Sequence, residues 1–185
     1  MEKSLVRTSK FLSLVLRHDP GKIGLRLDPA GWANVDELLS AAAASGTPIG
    51  RETLERVVAG NDKQRFAFSP DGTRIRASQG HSVDVDLGLQ PRTPPEVLYH
   101  GTATRFVDSI REKGLHSASR AHVHLSADEA TARAVGQRHG RPVVLTIAAG
   151  RMHRDGRPFF RSENGVWLTD EVPAEYIGFG DDAAG

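Results

Sequence analysis

The stretch Arg65-Phe66-Ala67-Phe68-Ser69-Pro70-Asp71-Gly72-Thr73-Arg74-Ile75-Arg76-Ala77 is where the period of the chain changes. Upstream, apolar residues recur every three or four positions; here they alternate, Phe66 with Phe68 and Ile75 with Ala77. Between the two runs, Pro70 presets a backbone angle and Gly72 tolerates a left-handed one, so the stretch reads as a β-hairpin. Working back from it, residues 4–18 place Phe11, Leu12, Val15 and Leu16 on one helical face, and Asp19-Pro20-Gly21 stops that helix. Residues 25–27 read as a short strand closed by the turn Asp28-Pro29-Ala30-Gly31. Asn34 with Glu37 forms a capping box for a helix that runs to Gly46. Residues 51–59 make a third helix with Leu54, Val57 and Val58 inward. Helix, strand, helix, helix, hairpin is the order of a winged helix-turn-helix, a fold most often used on nucleic acid but not by itself a function.

Working forward, residues 86–97 hold Pro91, Pro94 and Pro95 around Arg92 and Thr93 and show no periodicity. They read as a linker that divides residues 1–90 from residues 91–185. Beyond it the pattern predicts a strand at 97–100, a helix at 105–113 ended by Gly114, and a strand at 123–125. Ser126 with Glu129 is expected to cap a helix running to His139-Gly140. A buried strand at 142–148 and shorter ones at 157–161, 166–169 and 176–179 follow. Many short strands around few helices predict an α+β lobe.

The 185 residues contain no cysteine, which removes disulfides, thiol nucleophiles and thiolate metal sites. No apolar run suits a membrane span or a signal peptide, so a cytoplasmic protein is expected. The net charge is +1, and the two halves balance separately, which argues against a surface that coats polyanions generally. Arginine makes up 19 of the 24 basic residues. A GC-rich genome accounts for the bulk of that excess, so only arginines at particular positions bear on function.

Gly178-Phe179-Gly180 lacks the helix that a dinucleotide fingerprint needs, and no phosphate-binding Gly-Lys-Ser/Thr loop, His-Glu-x-x-His or Gly-x-Ser-x-Gly occurs. His122 and His124 alternate as strand-borne metal ligands would, yet no third ligand has matching spacing, so no metal is assigned. Taken singly, Arg17-His18 reads as a cationic end to the first helix, Lys63-Gln64-Arg65 as a solvated strand edge, and Gln79-Gly80-His81-Ser82 as a polar turn.

Six motifs stand in order along the chain. They are Leu16-Arg17-His18-Asp19-Pro20, Asn61-Asp62-Lys63-Gln64-Arg65-Phe66, Ile75-Arg76-Ala77-Ser78-Gln79-Gly80-His81-Ser82, Tyr99-His100-Gly101-Thr102, Ser119-Arg120-Ala121-His122-Val123-His124-Leu125 and Gly136-Gln137-Arg138-His139-Gly140. Together they resemble the KptA family of NAD-dependent RNA 2′-phosphotransferases. The resemblance runs from about Leu5 to Phe179. It implies an N-terminal winged-helix RNA lobe and a C-terminal ADP-ribosyltransferase-like lobe with a split β-sheet.

The implied reaction moves an internal RNA 2′-phosphate to NAD in two steps and needs no metal. By the same resemblance Arg17, His18, Arg65 and Arg120 are the catalytic residues, and Lys63, Gln79, His81 and Ser82 contact the RNA or its phosphate. His100, Gly101, Thr102, His124 and Val166 are the expected NAD residues, with Gly101 allowing close backbone approach. Val166 stands where many protein-modifying relatives carry a catalytic Glu, and Glu163 lies three residues before it. The partners implied are an RNA with an internal 2′-phosphate and NAD; a monomer is expected, although no sequence feature specifies the oligomeric state. Two rivals remain open at this point: an ADP-ribosyltransferase that caps RNA ends or modifies protein, and a winged-helix regulator that senses a nucleotide.

Overall fold

The computed structural model describes residues 2–60, 63–83, 85–118 and 121–180. It divides into two units, Met1–Gly88 and Leu89–Gly185, each folded around its own apolar core. Both mix helices with small antiparallel sheets, so the fold class is α+β. Among the described residues no helix is long and apolar enough to cross a membrane.

In the first unit, α1 (Lys3–Ser13) runs into a widened turn at Leu14–His18. Leu12, Val15 and Leu16 are fully buried, and Phe11 packs partly buried against them, so the expected face is the one inside. Asp19 leaves the helical region and accepts from the Lys22 N–H at 3.1 Å, which caps a short 3-10 turn at Pro20–Ile23. Then come β1 (Ala33–Asn34), α2 (Val35–Ala44), α3 (Arg51–Ala59), β2 (Phe66–Phe68) and β3 (Arg74–Ala77). The sheet order is β1-β3-β2, with Ala33 opposite Ile75 and Phe68 opposite that same Ile75 on the other side. Asn34 caps α2 as expected, its Oδ1 accepting from the Glu37 N–H at 3.0 Å.

The hairpin turn is held by Asp71, which accepts from Ser69 Oγ, Thr73 N and Thr73 Oγ1 at 2.6, 3.0 and 2.8 Å. These bonds favour the carboxylate and lower its pKa to about 2, with the Ser69 hydroxyl the largest cause.

Residues 25–27 are not a strand. Leu25 is buried in the core, but the third strand of the sheet is Ala33–Asn34, which follows the turn at residues 28–31. Burial of an apolar residue made 25–27 look strand-like; ladder partnership went to the two residues that reach β3.

The second unit comprises β4 (Leu98–Ala103), α4 (Val107–Lys113), β5 (Leu115–His116), β6 (Val123–Leu125), α5 (Glu129–Gln137) and β7 (Pro142–Ile147). It continues with α6 (Ala149–Arg154), β8 (Phe160–Arg161), β9 (Trp167–Thr169), β10 (Glu171–Val172) and β11 (Ile177–Gly178). Three antiparallel sheets result, ordered β11-β7-β4, β6-β9-β8 and β10-β5. Tyr99 and Ser126 join the first two through paired backbone bonds of 2.9 and 2.8 Å.

That bridge explains one departure from expectation. Ser126 is engaged across the sheets, and the cap of α5 is Asp128, which accepts from the Thr131 N–H at 2.7 Å and from its hydroxyl at 2.9 Å. Helix α6, with six residues, is too short to show a readable period in the sequence; its Ala149, Gly150 and Met152 are buried. The strands expected at 157–161, 166–169 and 176–179 form over shorter spans.

Helix α5 lies directly on β4. A Cβ on Gly101 would stand 1.6 Å from the Ala132 carbonyl oxygen, and one on Gly136 would stand 2.5 Å from the Thr102 oxygen. Both glycines are therefore required by backbone-to-backbone packing. Gly101→Ala is expected to lower stability by at least about 3 kcal/mol, the upper end for overpacking, because backbone cannot rotate aside as a side chain does. Urea denaturation checks this, and a loss below about 1 kcal/mol would show that α5 slides away freely.

Candidate active site

Arg17 and His18 close the widened turn, where the Asp19 N–H donates to the Leu14 carbonyl at 2.8 Å, five residues back. Such π turns are rare and recur at functional sites. The carbonyl of Arg17 is one of the last of the helix, which lack intrahelical donors. It accepts from Ser82 N at 2.9 Å and from Val83 N at 3.3 Å. The His18 Nδ1 lies 2.8 Å from Ser82 Oγ. A segment 64 residues away in sequence thus grips both backbone and side chain of this turn.

Gly80 makes that grip possible. Its φ of +87° belongs to the left-handed region, and a Cβ there would come 3.6 Å from the Arg17 Cζ. The Arg17 Nε and Nη2 are shut off from solvent. His81 is 2% exposed, with Gly31 leaving room for its Nε2. His81, expected from the resemblance to contact the RNA or its phosphate, is thus buried in this structure. Gln79 Oε1 and His81 Nε2 are buried, and among the described residues neither has a hydrogen-bond partner.

Arg76 lies on β3, within the third of the six motifs. It is 8% exposed, and its guanidinium carbon stacks 4.4 Å from the centre of the Trp32 ring, with Arg74 at 5.2 Å on the same ring. The signal available was the alternation of Arg74 with Arg76 on one strand face; what it lacked was Trp32, over forty residues earlier.

Arg65 is half-buried just before β2, and Lys63 is exposed. The Arg65 carbonyl accepts from Ser78 N at 2.9 Å, and the Gln64 carbonyl accepts from Ser78 Oγ at the same distance. Gln64 has a φ of +43°, a conformation unusual for a residue with a side chain, and Ser78 holds it there. Arg120 lies outside the described residues.

In the second unit, His100 sits in β4 opposite Leu145, and its Nδ1 donates to the His124 carbonyl at 3.1 Å. Burial pushes the His100 pKa down, the bond to His124 opposes that, and the charge of His139 adds to the fall. Thr102 is buried beside it. The backbone that approaches Gly101 in this structure is the protein's own helix α5.

His124 lies on β6, half-buried, opposite Leu168. His122 stacks on Phe160 at 5.6 Å between ring centres and approaches Asp170 at 3.9 Å. Among the described residues no group of three or more His, Asp or Glu could hold a metal ion. Val166 is half-buried in the β8–β9 loop, its N–H donating to Ser162 Oγ at 3.0 Å, and Glu163 is exposed in the same loop.

A family model described as "RNA 2'-phosphotransferase, Tpt1 / KptA family" matches residues 3–171. Curated relatives agree along nearly their whole length. One from Agrobacterium fabrum is 60% identical over 170 residues, covering 92% of this chain and 91% of the relative. One from Nostoc punctiforme is 56% identical over 176 residues, covering 95% and 97%, and one from Rhodopirellula baltica is 58% identical over 179 residues, covering 96% and 97%. All three carry the name "Probable RNA 2'-phosphotransferase". The chain belongs to the Tpt1/KptA family.

The buried histidine gives the first unit a pH signature. Burial, then the charges of Arg17, Arg76 and His18, lower the His81 pKa from 6.5 to about 4. In the unfolded chain the ring takes up its proton first, so stability that is complete above pH 6.5 is lost as pH falls towards 4. The loss from this residue is roughly 3 kcal/mol at 1.36 kcal/mol per pH unit. Urea midpoints should therefore fall between pH 7 and 4.5, and His81→Gln should flatten that fall. Parallel curves for variant and wild type would remove His81 as the cause.

Proposed function

We propose that this chain is an NAD-consuming RNA 2′-phosphotransferase, with a winged helix-turn-helix lobe for the RNA and an ADP-ribosyltransferase-like lobe for NAD. The observation that carries the reading is the cationic turn at Arg17 and His18, held from outside by residues 80–83. Preset guanidinium and imidazole groups suit a phosphate whose charge changes during reaction. Membership of the family supplies the substrate class.

In the first step an oxygen of the RNA 2′-phosphate attacks C1″ of NAD, and the C1″–N bond breaks with its electron pair returning to nicotinamide. A phosphomonoester is already an anionic nucleophile, so this step asks for positioning more than for a base. In the second step O2″ attacks the phosphorus and loses its proton, the bond from phosphorus to the RNA O2′ breaks, and O2′ takes up a proton. The products are RNA with a 2′-hydroxyl, nicotinamide and ADP-ribose 1″,2″-cyclic phosphate. Arg17, Arg65 and Arg120 meet the charge that gathers around phosphorus, as metal ions do in other phosphoryl transfers. Lys63 and Gln79 join them on the RNA side.

For NAD the fit rests on His100. Burial favours its neutral form, and with Nδ1–H given to the His124 carbonyl that form leaves Nε2 to accept from a ribose hydroxyl. Thr102, His124 and Val166 accompany it, with Gly101 serving through α5. A nucleic-acid regulator would read its target with α3, whose two arginines are balanced by two glutamates. Arg51 contacts Glu55 at 3.3 Å and the Gly72 carbonyl at 3.0 Å, and Arg56 contacts Glu2 at 3.5 Å, so this helix offers no unbalanced positive face.

A short RNA with an internal 2′-phosphate tests the reading. With NAD and EDTA present, the phosphate should leave and ADP-ribose 1″,2″-cyclic phosphate should appear; release of inorganic phosphate without NAD would mark an ordinary phosphatase. Arg65→Ala and Arg120→Ala should slow the second step more than the first, by about 10²- to 10³-fold, as loss of one preorganised donor does. RNA-linked ADP-ribose should then build up as a slower-migrating band on a denaturing gel. Arg→Lys should rescue poorly, because an ammonium lacks the planar fork. Loss of RNA consumption with no such band would assign these arginines to binding or to the first step.

A further inference from the structure

Resemblance alone counts Ser82 among the residues that touch RNA, and the geometry gives it different work. We infer that Ser82 is a positioning residue: its hydroxyl fixes the imidazole of His18 while its backbone anchors the turn that carries that imidazole. The inference rests on the proposed function for the meaning of His18, but not for the contact itself.

Two bonds define the arrangement. Ser82 Oγ lies 2.8 Å from His18 Nδ1, and Ser82 N donates to the Arg17 carbonyl at 2.9 Å. The hydroxyl is thus attached to a backbone that is already tied to the residue before His18. Slack between the two contacts is limited to one side-chain torsion of Ser82 and the two of His18. The Val83 N–H adds a second donor to the same carbonyl at 3.3 Å, and Gly80 lets the segment turn in front of the Arg17 guanidinium.

The bond a histidine makes at one ring nitrogen decides what the other nitrogen presents. Ser82 at Nδ1 restrains the orientation of the His18 ring and, according to whether its hydroxyl donates to that nitrogen or accepts from it, favours one tautomer. Removing the hydroxyl takes away this restraint at Nδ1 and, with it, the bias between tautomers. The effect should therefore fall on turnover rather than on substrate binding. A residue that gripped the RNA phosphate would show the opposite pattern.

The test uses the full-length protein with Ser82→Ala, Ser82→Thr and Ser82→Cys. For Ser82→Ala, kcat on the 2′-phosphorylated RNA should fall about tenfold while KM for RNA and for NAD stays within about twofold. Ser82→Thr, which restores the hydroxyl, should recover at least a third of wild-type kcat. A rise in KM for RNA with kcat unchanged, or wild-type behaviour of Ser82→Ala in both parameters, would overturn the inference. If Ser82→Ala does not fold, Ser82→Cys, with similar size and a weaker hydrogen bond, is read by the same split.

A second readout stands apart from activity. Long-range 1H–15N spectra of the imidazoles, with the His18 signals assigned by their loss in His18→Gln, report its tautomer. Ser82→Ala should shift the His18 tautomer ratio towards that of free imidazole, and Ser82→Thr should hold the wild-type ratio. An unchanged ratio in Ser82→Ala would overturn the contact. If wild type proves inactive on 2′-phosphorylated RNA, the proposed function fails and the tautomer ratio alone decides the role of Ser82.

Discussion

The first unit depends on how α1 ends. One additional residue in a helical turn rotates everything after it by about 100°, so widening the turn at Leu14–His18 decides where Arg17 and His18 face relative to the buried Val15 and Leu16. A helix that ended as it began would leave its last carbonyls to water. Here the Arg17 carbonyl is filled by backbone N–H groups from the segment after β3, so the helix end and the hairpin exit are mutually fixed. The hairpin does more than complete a sheet; it delivers residues 78–83 to the helix terminus.

In the second unit the corresponding constraint is steric. Two pairs of small residues, Gly101 with Ala132 and Gly136 with Thr102, let α5 rest on β4 with no side chains between. His100 is the neighbour of that contact, and its ring is tied to the next sheet through the His124 carbonyl. The Tyr99–Ser126 bridge lies one residue along β4 from this tie. Helix, strand and second sheet therefore converge on one short segment, where a side chain gains definition from three directions.

What was legible from sequence was whatever local chemistry decides. The faces of α1, α2 and α3, the Asn34 cap and the Ser69-Pro70-Asp71-Gly72 turn all follow from residues within a few positions of one another. Decisions made across the chain were not legible. Ser126 looks like a cap until Tyr99 claims its backbone. Residues 25–27 look like a strand until Ala33–Asn34 takes the ladder. Gln79-Gly80-His81-Ser82 has the composition of an exposed turn, yet the room left by Gly31 and the approach to Arg17 bury Gly80 and His81 while Ser82 stays exposed beside His18. Arg76 carried no mark of burial because its partner, Trp32, sits in a different element. The candidate residues form a readable set through their order along the chain; the burial of His81, the contact of Ser82 with His18 and the packing of Gly101 against α5 needed the third dimension.

Trp32, clasped by Arg74 and Arg76, has one further consequence. The chain holds two tryptophans, and each unit contains one: Trp32 against two guanidinium groups, and Trp167 in the second core with Arg161 5.7 Å from its ring. Their surroundings differ in charge and hydration, so their emission differs in colour and in quenching. Replacing either with phenylalanine turns intrinsic fluorescence into a report from a single half of the molecule. In optical terms the protein is already labelled, once in the half that holds the cationic turn and once in the half that holds the His100 strand.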